Sequence, residues 1–431
     1  MISIGFYTLG CKVSQYETEA IAEEFERRGY AISDFSDKND VYLINTCTVT
    51  AEADRKSRQM IRRAKKNNPQ AKIIVCGCYT QRSPEEVLNI DGVDAVIGSA
   101  GKMKAPDIAK RLFTGEEKIC AVTDIDSEPF EDMTITRGPR TRVYVKIEDG
   151  CESRCTYCAI PSARGKVRSK PRESVISEIE ALSESGVAEI VLTGIETGSY
   201  GVDFDNGYRL KDLIAELDVR KSARLIRLGS LAPELIGADF VNTVKDLTIL
   251  APHFHLSIQS GSDNVLRKMK RRYSRAMALE NIKRIREAIP GVTFTTDVMV
   301  GFPGESEEDF LDTVSFIKEV KFLDAHVFAY SKRKNTPAEA YPDQISEDVK
   351  KRRSEFLINV AKDIRYEVLK EILSDSKPLP CIFEEKREDG WYGHASNFAE
   401  VIVKSSEDLH GMQKNVLPFN IKDGIIYGKL V

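Results

Sequence analysis

The chain reads as a three-part α/β protein: an N-terminal Rossmann-like parallel sheet, a central partial (β/α)6 TIM-type barrel, and a small C-terminal antiparallel β-module. Three observations predict it. Short apolar runs alternate with amphipathic segments through the first 115 residues, six further strand-helix units follow from Arg142, and the last segment keeps strands and turns but loses helices. At 431 residues, 42% of them hydrophobic and 30% charged, the chain is long enough for several packed domains and far from disordered or collagen-like composition. Its 63 Lys and Arg against 67 Asp and Glu leave a net charge of −4, so no global basic field draws it to nucleic acid or anionic lipid.

In chain order, ISIGFYTLG predicts a strand, Glu17 to Arg28 a helix, VYLIN a strand, Ala51 to Asn67 a basic helix, and KIIVCG and DAVIG two more strands before a helix at Pro106 to Phe113. Residues 121–141 mix Pro, Gly and charge without helical periodicity and read as a linker. The barrel strands are then RVYVKIE, EIVLTG, RLIRLG, HFHLSIQ, TFTTDVMV and AHVFAY, closed by a charged helix from Glu347 to Leu373. LPCIFEE, GWYGHAS, AEVIVKS and GIIYGKLV form the final module. The expected domains are 1–125, a linker at 126–141, 142–368 and 369–431. No apolar run reaches the roughly 18 to 20 residues of a membrane span and the start lacks a basic n-region, so a cytoplasmic protein is expected.

Nine cysteines in such a chain point to catalysis or metal binding, because the cytosol keeps thiols reduced. Cys151, Cys155 and Cys158 form a C-x3-C-x2-C run directly after RVYVKIE. Three thiolates on one tight loop suit three irons of a [4Fe-4S] cube and leave the fourth open. A structural zinc would want a fourth Cys or His, and none lies between Asp149 and Arg172. Cys11, Cys47 and Cys78 each follow a predicted parallel strand, so they can converge at one sheet edge as a second set. By pattern alone Cys76 competes with Cys78, while Cys120 and Cys381 read as packing residues, the ordinary role of a lone thiol.

The C-x3-C-x2-C spacing after a first barrel strand resembles the radical S-adenosylmethionine (SAM) enzymes. That resemblance implies an iron site binding the amino and carboxylate groups of SAM, which an electron cleaves to a 5′-deoxyadenosyl radical. It also implies SAM contacts from Tyr157, from Gly194 and Glu196 after the second strand, Ser230 after the third, Gln259 after the fourth, and Val300 and Gly301 near the fifth. With the words Asn45-Thr46-Cys47-Thr48-Val49-Thr50, Gly77-Cys78-Tyr79, Asp149-Gly150-Cys151 through Arg164-Gly165, and GFPGE at 301–305, the chain resembles the radical-SAM methylthiotransferases over essentially its full length. Those matches favour Cys78 over Cys76, and they imply a C-terminal TRAM module, two [4Fe-4S] clusters and two SAM per product. NTCTVT followed by Ala53-Asp54-Arg55-Lys56-Ser57 looks like the branch that methylthiolates N6-threonylcarbamoyladenosine at tRNA position 37. Implied partners are the tRNA anticodon stem-loop and a reductant such as flavodoxin or ferredoxin, with no membrane; the resemblance assigns no sulfur donor. Arg154 stands where relatives commonly carry an aromatic residue. The same clusters would serve an isopentenyladenosine or ribosomal-aspartate methylthiotransferase, or a non-catalytic iron-sulfur sensor that binds RNA.

RNA contact is expected from Arg267, Lys268, Lys270, Arg271, Arg272 and Arg275, six cations in nine residues without an acid. Arg55 to Lys66 and Lys332 to Lys334 extend the track. From Lys370 onward eight Lys and Arg face ten Asp and Glu, so the last module would act through stacking by Trp391, Tyr392, Phe398 or Tyr427. Arg164 and Arg227 are the expected partners of a threonyl carboxylate, and His394 and His410 read as structural or exposed.

Overall fold

The computed structural model describes residues 1–48, 50–138 and 141–431; Val49 of the NTCTVT word and Pro139 and Arg140 of the expected linker lie outside the described residues. Contacts divide the chain into two compact units: Met1–Ile135 with Lys146–Pro171 and Ser331–Glu339, and Thr136–Val145 with Arg172–Tyr330 and Ala340–Val431. The C-x3-C-x2-C segment therefore packs with the N-terminal sheet, a grouping that chain order does not suggest.

The first unit is built on β1 (Ser3–Thr8), β2 (Ala31–Ser33), β3 (Val41–Thr46), β4 (Lys72–Gly77), β5 (Ala95–Ile97) and β6 (Ile119–Ala121), ordered β2-β1-β3-β4-β5-β6 and parallel throughout. Its helices are α1 (Lys12–Arg27), α2 (Ala51–Asn67), α3 (Cys78–Arg82), α4 (Pro84–Leu88) and α5 (Ala105–Phe113). Successive strand residues feed opposite faces: Leu43 and Ile74 pack with Ile21 and Phe25, whereas Tyr42, Ile44 and Val75 pack with Met60 and Ile61. Burial on both faces explains the nearly unbroken apolar runs. The short outer strands β2 and β6 carry no such run and escape a sequence reading. Helix α1 starts five residues earlier than expected, with Cys11 at its N-cap. Among its described residues the expected linker has no helix beyond a 3-10 turn at Ile125–Ser127, yet it is tied down, because Met133 O accepts from Tyr16 and from Lys170.

β7 (Arg142–Lys146) is followed by β8 (Glu148–Asp149), which pairs antiparallel with β9 (Arg168–Ser169) and closes a loop that contains α6 (Ile160–Arg164). In the second unit, α7 (Arg172–Glu184), β10 (Glu189–Thr193), α8 (Leu210–Arg220), β11 (Ile226–Leu228), β12 (Ser230–Leu231), α9 (Ala238–Val244), β13 (His253–Gln259), α10 (Asp263–Lys268), α11 (Arg275–Ala288), β14 (Thr293–Val300), α12 (Glu307–Val320) and β15 (Asp324–Ala329) complete the strand-helix alternation. The strands form the sets β11-β10-β7 and β12-β13-β14-β15. The third predicted strand is split at Gly229, where a Cβ would meet Thr197 Oγ1 at 2.7 Å and Leu192 O at 3.0 Å. After α13 (Glu347–Asp375), strands β16 (Leu379–Arg387), β17 (Gly390–Ala395), β18 (Glu400–Val403), β19 (Gln413–Lys422) and β20 (Ile425–Leu430) close a small barrel, antiparallel except for β18 with β20. Pro418 disguises β19 in sequence, and the ladder shifts register beside it, where a strand tolerates proline. Among the described residues no helix is long and apolar enough to cross a membrane.

Candidate cysteine centres and cofactor pocket

Three adjacent strands bring the first cysteine set to one edge. Thr8 pairs with Asn45 and Thr46 with Gly77, so β1, β3 and β4 end in register, with Cys11, Cys47 and Cys78 one to three residues beyond. The neighbouring words do the fastening. Asn45 Nδ2 donates to Ser14 O at 3.0 Å and to Thr18 Oγ1 at 3.1 Å, bolting the start of α1 to the end of β3. Thr46 Oγ1 donates to Cys76 O at 2.6 Å, bolting β3 to β4. Gly77 has φ +105°, and a Cβ there would stand 2.5 Å from Thr46 O, so only glycine passes the chain into Cys78. A Cβ on Gly10 would meet the Cys47 Cβ at 3.1 Å and Sγ at 3.4 Å, which puts the loop of Cys11 against Cys47.

Cys76 lies inside the sheet core, where burial pushes its thiol up to about 12, the state of an inert neutral thiol. Cys381 is likewise buried, but Cys120 is exposed on β6, so the expectation that it packs is corrected. None of the nine cysteines forms a disulfide.

The loop of the second set begins at Gly150, φ +89°, where any Cβ would collide with Lys166 O at 1.9 Å. Cys151 N–H donates to Gly165 O at 3.0 Å, and Cys158 N–H to Cys155 O at 3.0 Å. Ile160 N–H points at Cys158 Sγ from 3.4 Å, a backbone donor on sulfur. Arg154 takes a left-handed φ of +50°. Cys155 is buried while Cys151 and Cys158 are half-buried. Among the described residues no three Cys, His, Asp or Glu side chains gather as ligands of a single ion would. Thiolates that each hold a different iron of a cube do not need to meet at one point.

Arg164 was expected to face RNA. It is instead fully buried, donating to Glu17 and Asp149 through its terminal nitrogens and to Cys78 Sγ through Nε at 3.2 Å. Glu17, which sequence reasoning passed over as one acid on an amphipathic helix, also pairs with Lys102 and, at 2.8 Å, Lys146. Burial opposes its ionisation, but Arg164, Lys102 and Lys146 hold the carboxyl well below the usual carboxylate range.

In the second unit the expected SAM contacts gather at the carboxyl ends of the strands: Gly194 after β10, Ser230 in β12, Gln259 ending β13, and Val300 and Gly301 at the end of β14. Gln259 adopts φ +61°. Glu196 is buried and accepts Ala232 N–H at 3.0 Å; burial pushes its carboxyl up to about 7, against the pull of Arg271. The Gly301 N–H is spent on Glu305 Oε1 at 2.9 Å, which makes GFPGE a structural turn as well. Arg227 sits near the amino ends of the strands, opposite these residues, and donates to Glu189 at 2.7 and 3.2 Å. Despite burial, Arg227 and Arg142 hold Glu189 down to about 2. The Arg227 guanidinium also lies 4.9 Å from the Phe398 ring, itself stacked on His253. Neither Arg227 nor Phe398 is thus placed for RNA, which corrects both expectations. Trp391 and Tyr392 are buried as well, Tyr427 donates to Asp389, and His394 pairs with Glu384 at 2.7 Å.

The basic run divides in two. Lys268 donates to Gly304 O, Arg271 to Ser257 O, and Arg275 to Asp312 O and Glu319, so these three are spent on the fold. Arg267, Lys270 and Arg272 are exposed. Arg333 of the second basic stretch is buried against Thr48 and Asp54.

Two family models match the chain: the Radical SAM superfamily over residues 145–317 and the Uncharacterized protein family UPF0004 over 3–98. The radical SAM methyltransferase TsrM from Kitasatospora setae has the same fold, with TM-score 0.56 at 15% identity, over 79% of this chain and 77% of that one. The fold and the cysteine loop define a radical-SAM protein. Threonylcarbamoyladenosine tRNA methylthiotransferase MtaB of Bacillus subtilis is 41% identical over 95% of this chain and 92% of its own, and that of Thermotoga maritima 36% over 94% and 91%. A tRNA-2-methylthio-N(6)-dimethylallyladenosine synthase from Acetivibrio thermocellus is 33% identical over 84% and 76%. The chain belongs to the radical-SAM tRNA methylthiotransferases, in their MtaB group.

The residues fit that family's SAM and [4Fe-4S] cofactors. Gly10 leaves the space beside Cys47 that a side chain would fill, and backbone and guanidinium N–H groups already address Cys158 and Cys78 sulfur.

Proposed function

We propose that this protein replaces the C2 hydrogen of N6-threonylcarbamoyladenosine at tRNA position 37 with a methylthio group. Cys151, Cys155 and Cys158 hold one [4Fe-4S] cluster and Cys11, Cys47 and Cys78 the other. Both sets lie within one compact unit, and that juxtaposition carries the reading. The clusters supply the reducing electron that cleaves SAM and the sulfur that is methylated, chemistry that no side chain offers at an unactivated aromatic C–H. The chain's own work is to bind and orient: Glu196 receives the SAM ammonium, the strand-end glycines admit the cofactor's backbone-close approach, and exposed cations hold the anticodon stem-loop. A flavodoxin or ferredoxin in the cytoplasm would serve as reductant.

Arg82 replaces Arg164 and Arg227 as our candidate for the threonyl carboxylate. Its Nε donates to Ser162 at 3.0 Å and its Nη2 to Lys334 O at 2.6 Å, and Cys78, Cys158 and the guanidinium of Arg333 are all near enough to act on its charge. Burial, then Arg333, lowers its pKa, while Asp54, Cys78 and Cys158 pull the other way. The test offers two anticodon stem-loops that differ only in the adenosine modification. Turnover of the threonylcarbamoyl substrate should exceed that of the isopentenyl one by ~10⁴-fold, because polar groups built for the threonyl moiety lose their partners. Equal turnover of the two would sink the substrate assignment.

Glu196 gives SAM binding a pH signature. With its carboxyl near 7 in the ligand-free fold, it is largely protonated below that pH, whereas a bound ammonium favours the carboxylate. SAM affinity should therefore rise as pH increases to about 7 and level off above. Glu196→Gln should flatten the profile and weaken binding by ~10-fold or more, the loss of a charge-assisted bond. Calorimetric titration from pH 5.5 to 8.5 checks it; a pH-independent wild type would remove Glu196 from the SAM site.

For tRNA, replacing Arg267, Lys270 and Arg272 together with Ala should reduce the slope of log affinity against log salt by ~0.7 to 0.9 per lost phosphate contact. Arg271→Ala should leave that slope alone and lower stability instead, since its guanidinium caps Ser257 O. An unchanged slope in the triple variant returns the run to plain solvated surface.

A further inference from the structure

The buried charge around Arg164 is unevenly matched. Glu17 and Asp149 between them hold four cations: Lys102 and Lys146 on Glu17, Lys146 and Arg168 on Asp149, and Arg164 on both. All six side chains are buried or nearly so. Glu131 also acts on Lys102 and Lys146, so three carboxylates face these four cations, and buried charge is costly unless each group finds a partner. The group that meets the Arg164 Nε–H is the sulfur of Cys78, at 3.2 Å. Arg164 ends α6, in the loop that carries Cys151, Cys155 and Cys158, whereas Cys78 begins α3 on the sheet. One side chain therefore joins the two cysteine sets inside a single compact unit.

We propose that Arg164 is a positioning residue for the cluster of Cys11, Cys47 and Cys78: its Nε–H bonds the ligating Cys78 sulfur and raises that cluster's reduction potential. The inference rests on the reading of Cys78 as a ligand. Hydrogen bonds and positive charge at a ligating sulfur stabilise the more negative, reduced cluster, and partners beyond the ligands orient them. Glu17 and Asp149 complete the device by fixing the plane of the guanidinium, so that Nε–H has one direction to point.

The test uses the full-length chain carrying Cys151→Ala, Cys155→Ala and Cys158→Ala, reconstituted without oxygen, so that only the N-terminal set reports in a redox titration followed by electron paramagnetic resonance. Arg164→Gln should shift the midpoint to a more negative value, and Arg164→Lys, which keeps charge but loses the Nε–H, should shift it part of the way. Lys102→Gln, which perturbs the same ion-pair network without touching sulfur, should shift it less than Arg164→Gln. Wild-type midpoints in both Arg164 variants overturn the proposal, and so does an equal shift from Lys102→Gln, which would reduce the effect to remote charge. Should Arg164→Gln fail to fold or to take up iron, Arg164→Lys decides by the same criterion. Cys78→Ala in this background separates the two layers: full iron content and an unchanged spectrum would refute Cys78 as a ligand, whatever Arg164 does.

Discussion

Cys47→Ala should abolish the methylthio product while leaving the cleavage of SAM in place. The two outcomes depend on different thiols. On the proposed assignment, cleavage depends on Cys151, Cys155 and Cys158, which lie on a loop outside β3. On the same assignment, product formation depends on the cysteines at the edge of β1, β3 and β4, where Cys47 lies against Gly10. The substitution removes one sulfur from a half-buried position and leaves Asn45 and Thr46, which bolt the strand ends, untouched, so the sheet should stand. Anaerobic assays should find 5′-deoxyadenosine at close to the wild-type rate and 2-methylthio nucleoside at background in digested tRNA. Cys155→Ala should lose both. Normal methylthiolation by the Cys47 variant would refute the second set; loss of both products by it would instead tie Cys47 to the first reaction.

What the sequence disclosed and what it hid divide along a physical line. Strand-end cysteines were legible because parallel strands buried on both faces announce themselves as apolar runs, and the chain must leave each run at its carboxyl end. The C-x3-C-x2-C loop was legible because its three cysteines are local. Hidden were the partners brought together from far along the chain. Glu17 and Arg164 are 147 residues apart and look, each in its own segment, like ordinary surface charges. Arg227 beside a strand-end Gly-Ser pair suggested a ligand contact, but its guanidinium turns back toward the amino end of the neighbouring parallel strand, where Glu189 waits. The same blindness mistook Phe398 for a base-stacking residue, since nothing local tells that its ring meets His253. In the basic run, composition marked six cations, and only three-dimensional neighbours such as Ser257 O and Gly304 O tell the structural three from the exposed three.

Removing the Glu17 carboxylate should have the largest effect on stability of any single change outside the cysteines. Glu17 is fully buried and pairs with Lys102, Lys146 and Arg164 at once, so Glu17→Gln takes a partner from all three where water cannot reach them and leaves Asp149 to serve Lys146 and Arg164. Breaking a buried pair by deleting one partner costs about 3 to 5 kcal/mol, against which a net fold stability of about 5 to 15 kcal/mol leaves little. For a unit of this size that corresponds to an apparent melting point lower by on the order of 10 °C. The pH dependence has a definite sign. Because the folded carboxyl titrates well below its ordinary value, its contribution is complete above the unfolded pKa of about 4.3 and is lost as pH falls from there toward the depressed folded value. Wild-type and variant melting points should therefore differ most at pH 6 to 8 and converge in acid. The double change Glu17→Gln with Lys102→Met should recover part of the loss, since it removes one stranded cation together with its partner. Scanning calorimetry across pH 3 to 8 decides it: a Glu17→Gln protein that melts with the wild type at neutral pH would mean that the buried cations are balanced by something other than this carboxylate, and the network built around Arg164 would have to be redrawn.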